Sequence, residues 1–267
     1  MARITLRSLT KCFAEVRAVD GLSLDVRERE FLVIVGPTGC GKTTLLRLLA
    51  GLERPDSGHI YINGERVNDV PPGRRGVQLI FQSYALWPHM RVFDERRHSN
   101  LSFALKVRGW LAEAIRERVR AVARRVGIEE KLFGRRPAEL SAGQQQKVAI
   151  GRAVAVPPRV FLMDEPMSHI DPMSRRQVRA EIRRVHEELG TTTLLVTHDL
   201  ADAFQLADRI AVMREGRILQ VDPPERLYRE PGDPFVAEFI GCFDFSSPLE
   251  QRERARRVRG RGPGSRP

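Results

Sequence analysis

Cysteine, lysine and long apolar runs are all scarce in this chain of 267 residues. The three cysteines, Cys12, Cys40 and Cys242, are odd in number and scattered, which argues against a disulfide scaffold and against the paired spacing of a zinc site. No apolar stretch reaches the roughly 18 residues of a membrane-crossing helix. The first ten residues, MARITLRSLT, lack the apolar core of a secretory signal, so cytoplasmic residence is expected. These absences exclude a secreted mini-protein, a chain that spans a bilayer by itself and a metal finger. What is present, 42% hydrophobic and 30% charged residues, suits a globular protein with a sizeable core.

Lysine occurs only at Lys11, Lys42, Lys106, Lys131 and Lys147, yet the formal net charge is +11. The basicity is therefore nearly all arginine. Seven arginines and one glutamate fall between Gln251 and Pro267, in a Pro/Gly-rich stretch with the composition of a disordered tail. Residues 1–241 are read as one domain and 242–267 as that basic tail. A coding bias toward arginine makes the charge a solvated surface, with contact to lipid headgroups or nucleic acid as the alternative.

Along the chain, Ile4 to Leu6 and Leu22 to Val26 alternate like half-buried strands, while Phe31-Leu-Val-Ile-Val35 is apolar throughout, as a strand covered on both faces should be. Lys42 to Ala50 reads as a Leu-rich helix closed by Gly51, and Gly58 to Gly64 as a polar hairpin. From about 84 to 155 the pattern predicts mainly helix. There Leu111, Ile115, Val119, Val122 and Val126 recur at the spacing of an amphipathic helix. Val160 to Met163 and Thr193 to Thr197 are apolar strands with a helix of about 15 residues between them. Apolar strands alternating with helices predict an α/β fold with a parallel sheet.

The chemistry concentrates in Gly36-Pro-Thr-Gly-Cys-Gly-Lys-Thr43, which matches G-x-x-x-x-G-K-[ST] between an apolar strand and a helix. Glycines let such a loop wrap close to phosphate oxygens, and the helix start adds its positive dipole end. Gly36, Pro37, Thr38, Gly39, Cys40, Gly41, Lys42, Thr43 and Thr44 form the expected cradle. Lys42 would reach the β/γ-phosphates and the Thr43 hydroxyl would ligate Mg²⁺. Val160-Phe-Leu-Met-Asp-Glu-Pro166 supplies a second half: Asp164, at a strand end, for Mg²⁺, and Glu165 to polarise an attacking water.

Leu140-Ser-Ala-Gly-Gln-Gln-Gln-Lys-Val-Ala-Ile150 then resembles the LSGGQ signature of ATP-binding cassette (ABC) ATPases. Further segments are similar to that family's motifs in the right order. Gln82 looks like the Q-loop glutamine, Ser168-His-Ile-Asp171 like the D-loop, His198 like the switch histidine, and Phe13 like the aromatic that stacks on adenine. Leu79 to Met90 and Phe235 to Gly241 look like the maltose-type sugar-importer branch. The resemblance covers about residues 1–241. It implies a P-loop NTPase core with an N-terminal antiparallel β subdomain and a helical subdomain inserted at about 84–155. It implies ATP and Mg²⁺ as ligands, with Glu165, His198 and Gln82 catalytic and Thr43, Gln82 and Asp164 at the metal. It also implies that Ser141, Ala142, Gly143 and Gln144, with Asp171, serve nucleotide held by a second copy in a head-to-tail homodimer.

The resemblance further implies an ATPase at the cytoplasmic face of the membrane that energises import of a solute, a carbohydrate above all, through separate permease subunits. An extracytoplasmic solute-binding protein would be an indirect partner; nucleic acid is not expected. The alternatives are import of another small solute (polyamine, sulfate, iron) or a soluble ABC ATPase outside transport. Four departures stand out. Ala142 replaces the second signature glycine, a strain only if the position needs φ > 0. Glu95-Arg-Arg-His-Ser99 is about five residues more than relatives carry there, which puts permease coupling in question. His169 is unusual for a D-loop. Maltose-type relatives continue for about a hundred residues into a β-rich regulatory domain, so regulation through that domain is expected to be absent.

Overall fold

The computed structural model describes residues 2–168 and 170–241. The chain runs β1 (Ile4–Phe13), β2 (Val16–Val26), β3 (Phe31–Val35), α1 (Lys42–Ala50), β4 (Ser57–Ile62), β5 (Glu65–Arg66), β6 (Val77–Ile80), α2 (Phe103–Val107), α3 (Ala112–Val126) and α4 (Ala142–Ala155). It continues β7 (Val160–Asp164), α5 (Pro172–Leu189), β8 (Thr192–Thr197), α6 (Leu200–Leu206), β9 (Arg209–Arg214), β10 (Arg217–Asp222), α7 (Pro224–Arg229) and α8 (Pro234–Gly241).

Two sheets result. The first is antiparallel, in the order β2-β1-β4-β5, with Ile4 opposite Val26 and Leu6 opposite Leu24. The second has the order β10-β9-β3-β8-β7-β6, parallel from β9 to β6 with β10 antiparallel at its edge. Strands β3, β7 and β8 are buried at every residue, the condition under which strands read as unbroken apolar runs. The pleat sends alternate residues of β3 into different cores. Phe31, Val33 and Val35 pack with Met163, Leu195 and the helical residues Val119 and Val148. Leu32 and Ile34 pack with Leu45 and Leu46 of α1 and with Ile4 and Leu24 of the antiparallel sheet. Helix α1 therefore sits between the sheets, and its first turn opens where β3 ends.

The stretch from 84 to 155 is less helical than its pattern suggests. Residues 84–102 carry turns, and the helices α2, α3 and α4 occupy 103–155 with two 3-10 turns between them. Within the amphipathic set, Ile115, Val119, Val122 and Val126 are buried, but Leu111 is 79% exposed. It is the N-cap of α3, still in extended backbone, so it precedes the turn at which the periodicity begins. Strands β6, β9 and β10 were not anticipated from sequence. Asn100 and Ser99, around the extra segment 95–99, are fully buried, and Asp94 Oδ1 accepts from the N–H groups of Arg96 and Arg97, both at 2.9 Å. Among the described residues no helix is long and apolar enough to cross a membrane. The readings of 242–267 as a basic tail and of His169 lie outside the described residues.

Candidate functional site

The loop after β3 is pressed between two neighbours, which is why Gly36 and Gly41 are obligatory. A Cβ on Gly36 would lie 2.0 Å from the Met213 carbonyl oxygen, and one on Gly41 1.9 Å from that of Ala18. Gly41 also has φ 106 and caps α1, a backbone conformation that side chains other than hydrogen resist. Lys42 is buried, and its Nζ donates to the carbonyls of Gly36 and Pro37, each at 2.8 Å. The ammonium is thus held beneath the loop it belongs to. Burial pushes the neighbouring Cys40 thiol up, against the pull of Lys42. The first N–H groups of α1 precede any acceptor within the helix, the property that makes a helix start an anion site.

Asp164 ends β7 and Glu165 follows it. The Thr43 hydroxyl donates to Asp164 Oδ1 at 3.0 Å. Burial raises the pKa of Asp164, opposed by that hydrogen bond and abetted by the charge of Glu165. Two hard oxygen donors this close, one a carboxylate whose burial is incompletely compensated, fit a small divalent cation that keeps phosphate and water as its other ligands. Among the described residues no group of three or more His, Cys, Asp and Glu could form an all-protein metal cage. Glu165 adopts φ 44, a costly conformation for a residue with a side chain. It is held there by N–H donation to the Val196 carbonyl at 3.0 Å and by donation from Ser168 N to its own carbonyl at 3.2 Å. Its Oε2 lies 3.1 Å from His198 Nδ1.

An open cleft of about 480 Å³ gathers these groups: Val16, Ala18, Thr38, Gly39, Gly41, Lys42, Thr43, Thr44, Gln82, Glu165 and His198 line it. Val16 and Ala18 were not anticipated; nothing local distinguishes them from other residues of β2. Phe13 is outside this lining. It is 45% exposed with Lys11 Nζ 5.3 Å from its ring centroid, and it pairs in register with Val16 at the hairpin tip. Ser141, Ala142, Gly143 and Gln144 stand apart at the start of α4. There Ser141 Oγ accepts from Gln144 N at 3.3 Å, and Gln144 Oε1 accepts from Ser141 N at 3.0 Å, a reciprocal capping box. Ala142 is the first residue of α4 and is not among the positive-φ residues, so its methyl strains nothing. Asp171 is likewise away from the cleft. It caps α5 by accepting from Ser174 N at 2.9 Å, which lowers its pKa.

Arg175, one turn into α5, was also missed. Its Nε donates to the Ile170 carbonyl at 3.0 Å and its Nη1 to Asp199 Oδ2 at 2.7 Å, tying the segment before α5 to the residue after His198. Arginines are so common in this chain that only the fold singles it out.

Comparison with known proteins shows the family and the fold. A family model described as "ABC transporter" matches residues 19–168. The chain is 50% identical over 241 residues to the osmoprotective compounds uptake ATP-binding protein GgtA of Synechocystis sp., covering 90% of this chain and 65% of that protein. It is 48% identical over 247 residues to the trehalose/maltose import ATP-binding protein MalK of Thermococcus litoralis, covering 90% and 65%. The chain therefore spans a little under two thirds of the length of these relatives. Among solved structures, the ATP-binding cassette MJ0796, a dimer bound to ADP and Pi, superposes with a TM-score of 0.72 at 29% identity, over 83% of this chain and 98% of that one. The cbiO1 protein of Clostridium perfringens, part of the cbiONQ transporter complex, gives 0.76 at 27% identity, over 85% and 90%.

Proposed function

The chain belongs to the ABC transporter family, and from that premise we propose that it is the ATP-hydrolysing subunit of a solute importer. The observation that carries this reading is the cleft, where Lys42, Thr43, Gln82, Glu165 and His198 converge. Lys42 and the first N–H groups of α1 bind the β- and γ-phosphates. Thr43 and Asp164 would hold Mg²⁺, which when bound neutralises charge on the phosphate oxygens. Glu165 orients the attacking water and accepts its proton. His198, whose Nδ1 lies 3.1 Å from Glu165 Oε2, directs a ring N–H to the charge developing on the γ-phosphate. Gln82 at the lip contributes a side-chain carbonyl toward the metal and the water. Phe13, beside Val16 at the rim, stacks on the adenine.

Ser141, Ala142, Gly143 and Gln144 lie outside this cleft, so their helix-end amides serve nucleotide on a second copy, with Asp171 at the same junction. A closed two-fold, head-to-tail dimer satisfies both sites at once. Support comes from the dimeric MJ0796 cassette with ADP and Pi. The cargo is a carbohydrate or a compound of similar polarity, as the names of the MalK and GgtA relatives suggest for their own proteins. Its path is formed by separate permease subunits fed by an extracytoplasmic solute-binding protein. The subunit works as a peripheral protein on the cytoplasmic face.

Phosphate release by the purified chain, with and without Lys42→Ala, tests the reading. Loss of on the order of 100-fold or more in the variant is expected; equal rates overturn the assignment.

A further inference from the structure

Just after Gln82 come two consecutive residues in left-handed backbone, Tyr84 at φ 60 and Ala85 at φ 45. Neither is glycine, so the pair persists only where surrounding contacts hold it. The hold comes from Arg152 on α4. Its Nη1 donates to the Ala85 carbonyl at 2.5 Å, its Nη2 to that of Tyr84 at 3.1 Å, and its guanidinium carbon lies 4.9 Å from the Trp87 ring centroid. On the other side, Trp87 N donates to Asn100 Oδ1 at 3.0 Å and Asn100 Nδ2 donates to the Trp87 carbonyl at 3.2 Å. Trp87 also packs on Phe103, with centroids 4.6 Å apart. The backbone from 84 to 87 is gripped from both flanks.

We infer that Arg152 is a positioning residue for Gln82, the link through which helix α4 sets where the glutamine amide stands at the lip of the cleft. The inference rests on the cleft being an ATPase site. Arg152 lies on the same helix that Ser141 caps, about 16 Å along its axis at 1.5 Å per residue. A helix moves as a unit, so a shift of the Ser141 end is delivered to the carbonyls of Tyr84 and Ala85. Two charge-assisted hydrogen bonds to adjacent carbonyls need the planar fork of arginine. Lysine offers one point charge and keeps only part of the grip.

The test uses the full chain with Trp110→Phe, which leaves Trp87 as the sole tryptophan, and adds Arg152→Met or Arg152→Lys. Three quantities are read: Trp87 emission, ADP affinity, and kcat and KM for ATP hydrolysis. In Arg152→Met, Trp87 emission shifts, kcat falls about tenfold or more, and ADP affinity stays within about threefold, since ADP lacks the phosphate next to Gln82. Arg152→Lys recovers part of kcat. A kcat within about twofold of the parent in both variants overturns the inference. So does a loss of ADP affinity as large as the loss of kcat, which marks general damage to the cleft. Should Arg152→Met fail to fold, Arg152→Lys decides by the same readouts. A parent that hydrolyses no ATP overturns the ATPase reading instead; even then, unchanged Trp87 emission in Arg152→Met refutes the grip.

Discussion

Glu165 and His198 meet across the ends of two paired parallel strands. Strand β7 stops at Asp164 and β8 at Thr197, with Asp164 opposite Val196 in the ladder. The next residue of β7 turns back on itself at φ 44 and donates its N–H to the Val196 carbonyl. That turn brings Oε2 to 3.1 Å from His198 Nδ1. Thr197 and Asp199 brace the histidine from either side, with Asp199 N donating to Thr197 Oγ1 at 3.0 Å and Asp199 Oδ1 capping α6.

A pair arranged this way acts as one unit. Glu165→Gln keeps the shape and removes the proton acceptor, so hydrolysis falls by on the order of 10²–10⁴-fold with ATP binding retained. Adding His198→Ala to Glu165→Gln costs little more, because groups that act together lose non-additively. Phosphate release and nucleotide affinity for the two single variants and the double variant decide this; losses that multiply assign the residues separate roles.

Gly41 and Gly39 separate two costs of a side chain in the loop. Gly39→Ala meets nothing within 4 Å and pays only for φ 82, whereas Gly41→Ala adds a Cβ 1.9 Å from the Ala18 carbonyl oxygen at φ 106. Gly41→Ala should weaken nucleotide binding by at least about tenfold more than Gly39→Ala, as expected when a strained backbone must also shift. Calorimetric titration with ADP compares them.

Arg75 closes α1 from outside the helix. Its guanidinium is buried and donates only to carbonyls: Leu48 at 2.8 Å, Leu49 at 3.1 Å, Val70 at 2.8 Å and Asn68 at 3.1 Å. Burial lowers its pKa, with Asp69 as the opposing charge. Arg75→Met takes this donor from the Leu49, Val70 and Asn68 carbonyls, while Leu48 keeps Gly51 N at 3.1 Å, and should cost about 2–4 kcal/mol of stability, read as a lower urea midpoint at unchanged m.

His186 makes stability depend on pH in a definite direction. It is buried, its Nδ1 lies 2.9 Å from Thr193 Oγ1, and its ring meets Phe31 with centroids 5.0 Å apart. Burial, seconded by the charge of Arg183, depresses its pKa from 6.5 to about 4, against Asp208 and Glu187. Between those values the unfolded chain binds the proton and the folded chain does not. The contribution is therefore complete above pH about 6.5 and declines as pH falls toward 4, by up to about 3 kcal/mol. His186→Gln, which keeps a partner for Thr193, should flatten this part of the Tm–pH curve; parallel curves for parent and variant reject the assignment.

The loop from Gly36 to Thr43 was legible because its chemistry is local: three glycines, a lysine and a hydroxyl between an apolar strand and a helix are written within eight residues. The same locality made β3, β7, β8 and α1 readable, each by its own unbroken or periodic apolar pattern. Strand order, and the edge strands β6 and β10, were not readable. Pairing joins residues far apart in the chain, and partly exposed strands carry no strong pattern. The 3.0 Å meeting of Thr43 with Asp164 spans 121 positions, and that of Arg152 with Ala85 spans 67. An arginine that grips a carbonyl looks, in sequence, like any arginine on a solvated face. Its role comes from which backbone oxygen the fold places opposite it, and that is set by the packing of helices and sheets rather than by neighbouring residues. The residue types able to cradle a phosphate were thus determined by the sequence alone, whereas the left-handed turn of Glu165 and the grip on residues 84–87 were decided by tertiary structure, because only a packed core can hold a backbone where its own torsional preferences would not.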